Sequence, residues 1–189
     1  MDCLDKEALS FDGASVLCAL SYICVLTQIE HMAISVGQQA PTFSLFNSDK
    51  EKVTLADYHG RKHVLLLFFP LAFTSVCTKE LCGVRDNMEQ YNSLNAQVLG
   101  ISVDSTYTLA KYKEEQQYNF PLLSDFNKEV STNFESIYAS FGDMKMKGVS
   151  KRAAFVIDKS GIVQYAEVLE NAWEEPNFEA INEKIAALG

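Results

Sequence analysis

Two mid-chain cysteines, Cys77 and Cys82, stand five residues apart, and the first closes the stretch Phe69-Pro70-Leu71-Ala72-Phe73-Thr74-Ser75-Val76-Cys77. The continuous apolar run Val64–Phe69 reads as a strand buried on both faces. Pro70 ends it, and a helix is expected to begin near Ser75. Cys77 then falls in the first helical turn, where unpaired backbone N–H groups carry roughly half a positive charge. An anion is favoured there, and the thiolate is the nucleophile of cysteine chemistry. Thr74, three residues earlier, brings a hydroxyl that can donate to the sulfur or to an oxygen bound beside it. A plainer reading competes. Cys77, Leu81, Val84, Met88 and Tyr91 recur at steps of four, three, four and three, so the cysteine is also a small apolar residue on a buried helical seam.

The elements that must hold such a site follow from pattern. Short strands are expected at Thr42–Phe46 and Lys52–Leu55, a helix from Ser75 to about Tyr91, and a strand at Gln97–Val103. Ser105–Gln117 reads as a polar amphipathic helix capped by Ser105, Asn119–Ser124 as a Pro-containing loop, and Asn127–Phe134 as a short helix. Ser136–Ser150, with Gly142, Gly148, Lys145 and Lys147, reads as an irregular, mobile segment. Ala153–Ile157 and Ile162–Val168 form a hairpin, and Pro176 opens a last helix running to about Leu188. Strand–helix–strand–helix followed by a hairpin and a terminal helix predicts an α/β protein of thioredoxin-like layout, a mixed central sheet flanked by helices.

Composition narrows the function. The chain has 189 residues, 48% hydrophobic and 22% charged, as a globular domain does. Its net charge is −9 and it has no basic block, which argues against a nucleic-acid partner. Residues 1–31 set Asp2, Asp5, Glu7, Asp12 and Glu30 against Lys6 alone, a net of −4, and contain the mostly apolar run Ala14–Ile29. That run is shorter than the ~20 residues of a membrane helix. Its acidic flank also opposes a signal peptide. The segment is read as an N-terminal extension of uncertain structure: a docked helix, an upstream addition to a domain at 32–189, or an export or membrane segment. Five cysteines in all, three of them at positions 3, 18 and 24, do not make a dense disulfide framework. A reducing compartment, the cytoplasm, is expected. His31, His59 and His63 lack metal-ligand spacing.

Pro70, Thr74 and Cys77 match the Pro-x-x-x-(Thr/Ser)-x-x-Cys motif, and on it the chain resembles the peroxiredoxins. The segment FFPLAFTSVCTKEL is similar to the subgroup of alkyl hydroperoxide reductase E and the bacterioferritin comigratory proteins (peroxiredoxin Q). The resemblance runs from about Val36 to Leu188 and takes in APTFSL, FPLLSD and KRAAFVIDKSG. It implies a peroxidase in which Cys77 attacks a peroxide and becomes a sulfenic acid, beside Pro70, which shields the site, and Thr74. It places the family's arginine at Arg152, three residues before Phe155, and its orienting glutamate at Glu80. It implies no cofactor. Substrates would be hydrogen peroxide and alkyl hydroperoxides, and the reductant thioredoxin or a similar dithiol protein. Cys82 stands where the subgroup has its resolving cysteine; otherwise the enzyme is a one-cysteine peroxidase recycled by an external thiol.

Other classes fit less well. A thiol–disulfide oxidoreductase would carry Cys-x-x-Cys, and a copper-delivery protein Cys-x-x-x-Cys with a later histidine, whereas His63 is the last here. A peroxide sensor or chaperone remains open as an added role. A homodimer is possible, with Leu71–Phe73 and Ser105–Thr108 as contact regions.

Overall fold

The computed structural model describes residues 34–189. Cys3, Cys18, Cys24, His31 and the boundary expected near Met32 lie outside the described residues. Seven strands form one mixed sheet: β1 (Ser44–Asn47), β2 (Lys52–Thr54), β3 (His63–Phe68), β4 (Ala96–Ser102), β5 (Leu122–Ser124), β6 (Arg152–Ile157) and β7 (Val163–Leu169), in the order β2-β1-β5-β4-β3-β6-β7. The helices are α1 (Ser75–Asp86), α2 (Met88–Ser93), α3 (Thr106–Gln116), α4 (Glu129–Asn133) and α5 (Phe178–Leu188).

All six residues of β3 are buried, as a central strand requires. It pairs in parallel with β4 and antiparallel with β6. The two-residue period splits its side chains between two cores. Leu65 and Leu67 pack with Cys77, Leu81 and Val84 of α1, Leu109 and Tyr112 of α3, and Ile181 and Ile185 of α5. Val64, Leu66 and Phe68 pack on the other face with Phe43, Leu55, Val130 and Phe134. The expected α/β, thioredoxin-like mixed sheet with helices on both faces is the fold found.

Several elements differ from expectation. The single helix Ser75–Tyr91 is two, because Asn87 (φ −106°, ψ 14°) leaves helical geometry while its side-chain amide donates to Gly83 O at 2.8 Å. Met88 and Tyr91 still continue the buried seam. The loop expected at Asn119–Ser124 contains β5, which pairs with both β4 and β1. Pro121 lies just outside that strand, and its carbonyl accepts from Gly100 N at 3.0 Å. Gly100 has no side chain for a reason: a Cβ there would lie 2.7 Å from Leu122 Cδ2. Ser136–Ser150 doubles back on itself, with bridges Ile137–Ser150 and Phe141–Met146. Pro176 precedes α5 rather than opening it; Asn177 is the cap, its Oδ1 accepting from Ala180 N at 3.1 Å. Ser105 caps α3 as expected, accepting from Thr108 N at 3.1 Å.

Candidate active site

The chain leaves the sheet at the end of β3 and turns over residues 70–74 before α1 begins. Asp104, just past β4, pins this turn: its Oδ2 accepts from Ala72 N at 2.8 Å and from the Ser102 hydroxyl at 2.7 Å. Phe73 takes a positive φ of 62°, rare for a bulky residue, and its ring lies against Tyr112 at a centroid distance of 4.8 Å. Thr74 follows in extended geometry as the residue before α1. Its hydroxyl donates to Leu71 O at 2.9 Å, so in this state the proton that could reach the sulfur or an oxygen bound beside it closes the turn instead. Thr78 ties the first helical turn down: its Oγ1 donates to Thr74 O at 2.8 Å and lies 2.9 Å from the Tyr112 hydroxyl.

Cys77 is 1% exposed. Arg152, the first residue of β6 and equally buried, reaches across the sheet end so that its Nη2 lies 3.3 Å from Cys77 Sγ. Its Nη1 forms an ion pair with Glu80 Oε2, one helical turn beyond Cys77. Nε and Nη2 also donate to Ala172 O, at 3.3 and 2.9 Å. The planar guanidinium is thus fixed on three sides. Burial works against its charge, and the adjacent Glu80 and Cys77 more than offset that, so Arg152 is held charged. Burial pushes the Glu80 carboxyl up, the charge and hydrogen bond of Arg152 pull it back, and Glu175 pushes it up further.

A cleft of about 590 Å³ opens onto the sulfur. Pro70, Leu71, Thr74 and Val76 form one wall, Tyr138, Phe141 and Met146 of the doubled-back segment another, and Ala172 and Trp173 a third. The structure therefore brings Pro70, Thr74, Cys77, Glu80 and Arg152 together. Cys82 is set apart. It is half-buried where Cys77 is buried, both thiols are free, and the Cys82 thiol donates to Gln116 Oε1 at 3.8 Å. Among the described residues no metal-ligating cluster of three or more side chains occurs.

Sequence reasoning missed Asp104, the Ala172 carbonyl and the wall from Tyr138 to Met146. Asp104 had a usable signal, an acid directly after a buried strand beside the catalytic turn. A backbone carbonyl that aims an arginine has none.

The chain matches the model of the AhpC/TSA family over residues 36–166. Alkyl hydroperoxide reductase E of Mycobacterium tuberculosis is 38% identical over 135 residues, which cover 71% of this chain and 86% of that protein. The putative peroxiredoxin bcp of Haemophilus influenzae is 39% identical over 134 residues, covering 69% and 83%. Among solved structures, the peroxidoxin BcpB from Mycobacterium tuberculosis aligns with a TM-score of 0.73 at 27% identity, over 82% of this chain and 99% of that one. The reduced 2-Cys peroxiredoxin of Plasmodium vivax aligns with a TM-score of 0.71 at 32% identity, over 80% of each.

Proposed function

The chain belongs to the AhpC/TSA family and is a thiol-dependent peroxidase, and on that premise we propose that Cys77 is its peroxidatic nucleophile, served by Arg152, Thr74, Glu80 and Pro70. The observation that carries this reading is the Arg152 guanidinium, 3.3 Å from Cys77 Sγ and held there by Glu80 and the Ala172 carbonyl. A peroxide in the cleft places one oxygen against the sulfur. The Cys77 thiolate attacks that oxygen, an S–O bond forms, the O–O bond breaks, and the leaving hydroxide or alkoxide takes up a proton. Negative charge grows on the leaving oxygen as the bond breaks, and Arg152 is already oriented to receive it. Thr74, whose proton is engaged by Leu71, meets the peroxide O–H as an acceptor. Glu80 keeps Arg152 in place, and Pro70 covers the sulfur. Cys77 is left as a sulfenic acid.

Cys82 then attacks that sulfenic acid, releasing water and forming a Cys77–Cys82 disulfide, which thioredoxin or a similar dithiol protein reduces. The apolar walls of the cleft support alkyl hydroperoxides beside hydrogen peroxide as substrates. Exposed Phe73 and Tyr107, in the two regions named from sequence, support a homodimer through that face; sedimentation of the full chain reads its mass. The thiol chemistry fits a reducing compartment, the cytoplasm. Trp173 is the only tryptophan and lines the cleft, so its fluorescence reports the reaction. Mixing the reduced full chain with one equivalent of hydrogen peroxide is expected to change Trp173 emission within seconds, with Cys77 the residue oxidised by peptide mapping. A chain whose Cys77 survives for minutes would overturn the assignment.

A further inference from the structure

The Arg152–Glu80 pair has a far side. Between α1 and α5 lies a cavity of about 200 Å³ lined by Glu80, Gly83, Tyr91, Glu175 and Asn182 among others, sharing no lining residue with the peroxide cleft. Two of its oxygens, Glu80 Oε1 and Asn182 Oδ1, are buried and have no hydrogen-bond partner among the protein atoms. Glu80 is 1% exposed, and its other oxygen is taken by Arg152. Two acceptors facing one cavity need a molecule with two donors. Water is the smallest, and it needs only about 10–15 Å³ of probe-filled space.

We infer that this cavity is a solvent site at the rear of the catalytic centre, in which water bridges Asn182 to Glu80 Oε1 and makes Asn182 a positioning residue for Arg152. The inference rests on the reading of Cys77 and Arg152 given above. The chain of contacts runs from Asn182 through water to Glu80, from Glu80 to Arg152 Nη1, and from Arg152 Nη2 to the Cys77 sulfur. Asn182 itself touches neither the arginine nor the sulfur. A donor on Oε1 favours the charged carboxylate, and the charged carboxylate is what grips the guanidinium. If the Asn182 amide is turned the other way, its N–H group faces the cavity and the bridge still forms.

The charged and titratable groups around Glu80 are few. Arg152 faces it from β6, Glu175 from the segment before α5, Tyr91 across the cavity from α2, and Cys77 stands on its own helix. Glu175 is itself paired with Lys79 at 2.5 Å. Burial already pushes the Glu80 carboxyl up to about 7. That is the carboxyl with Oε1 unpartnered; a water donor there holds it lower, and losing the donor returns it toward about 7.

The test uses the full chain and the Trp173 signal, with the second-order rate of oxidation by hydrogen peroxide measured from pH 5.5 to pH 9. Asn182→Leu removes the bridge. It is expected to lower the rate about three- to eightfold near pH 5.5, the equivalent of about half to one unit in the carboxyl titration, and to rejoin wild type at pH 9. Asn182→Ser keeps a polar partner and room for water, and is expected to follow wild type within about twofold. Should the leucine variant not fold, Asn182→Met takes its place. A profile that superimposes on wild type, an equal loss at every pH, or a serine variant as slow as leucine overturns the inference. A wild-type chain that peroxide oxidises only slowly instead defeats the reading of Cys77 on which it rests.

Discussion

Cys77 and Cys82 lie on one helix, and their surroundings are opposite in kind. Cys77 is 1% exposed in a first turn fastened at several points: Thr78 to Thr74 and Tyr112, Glu80 to Arg152, and Arg152 to Ala172. Cys82 is half-buried at the edge of the core, adjoins Gly83, and its thiol makes a long hydrogen bond to Gln116 Oε1 at 3.8 Å. In an intact α-helix residues five apart are rotated by about 140° and separated by about 7.5 Å of rise. A disulfide needs Cα atoms within about 7 Å and side chains that converge. The first turn is thus held rigid around its sulfur, and Cys82 can bond to that sulfur only if the helix opens. On the roles proposed for the two cysteines, attack on peroxide and resolution of its product have opposite mechanical needs, met seven and a half ångströms apart or so along one axis.

The largest effect should come from the fastened end. Arg152→Met removes the one guanidinium at the sulfur among the described residues and leaves Glu80 buried without its partner. Loss of a preorganised donor of this kind costs about 10²–10³ in rate. Stopped-flow oxidation followed through Trp173 should slow by that much, with the far-ultraviolet circular dichroism unchanged. A rate within threefold of wild type would show that the fastening serves the fold and not the reaction. Cys82→Ser probes the loose end. Its first oxidation should match wild type, while turnover with thioredoxin falls by about tenfold or more, since no disulfide can form for the dithiol to attack. Undiminished turnover would make the contrast between the two cysteines irrelevant to catalysis.

Much of this contrast was legible in the sequence. The run Val64–Phe69, Pro70 and the apolar seam after Ser75 placed Cys77 at a strand-to-helix turn because periodicity is a local property. Glu80 and Arg152, 72 residues apart, meet only through the pairing of β3 with β6. Nothing local marks that meeting, and the resemblance to a family supplied it. The strand at Leu122–Ser124 was hidden by its length of three residues and by Pro121, and only its neighbours β1 and β4 make it a strand. The break at Asn87 was hidden for the converse reason: Met88 and Tyr91 keep the helical spacing across it. The hydroxyl of Thr74 was expected to donate to the sulfur or to an oxygen bound beside it, and a side chain's choice among acceptors is settled by the turn geometry that Asp104 imposes.

Two smaller substitutions tune the helix without touching either sulfur. Gly83→Ala adds a methyl that meets nothing within 4 Å. Alanine exceeds glycine by about 0.8–1 kcal/mol in a helix interior. If α1 must open before the disulfide forms, closure of the Cys77–Cys82 bond should slow about fourfold to fivefold, with the first oxidation unchanged at pH 9, where the charge of Glu80 no longer depends on the cavity that Gly83 lines. Thr78→Val keeps the shape of the side chain and removes its hydroxyl, which serves both Thr74 O and Tyr112. A hydrogen bond of this kind contributes about 0.5–1.5 kcal/mol. The substitution loosens the first turn, so the disulfide should form about two- to tenfold faster while thermal stability falls. Quenched-flow trapping of free thiols after a peroxide pulse reads both variants on one time axis. Opposite displacements of the second phase, each timed from the end of that variant's own first phase, require that the helix open between the two steps. If both variants slow the second phase, or neither moves it, Cys82 reaches Cys77 by some route other than opening α1.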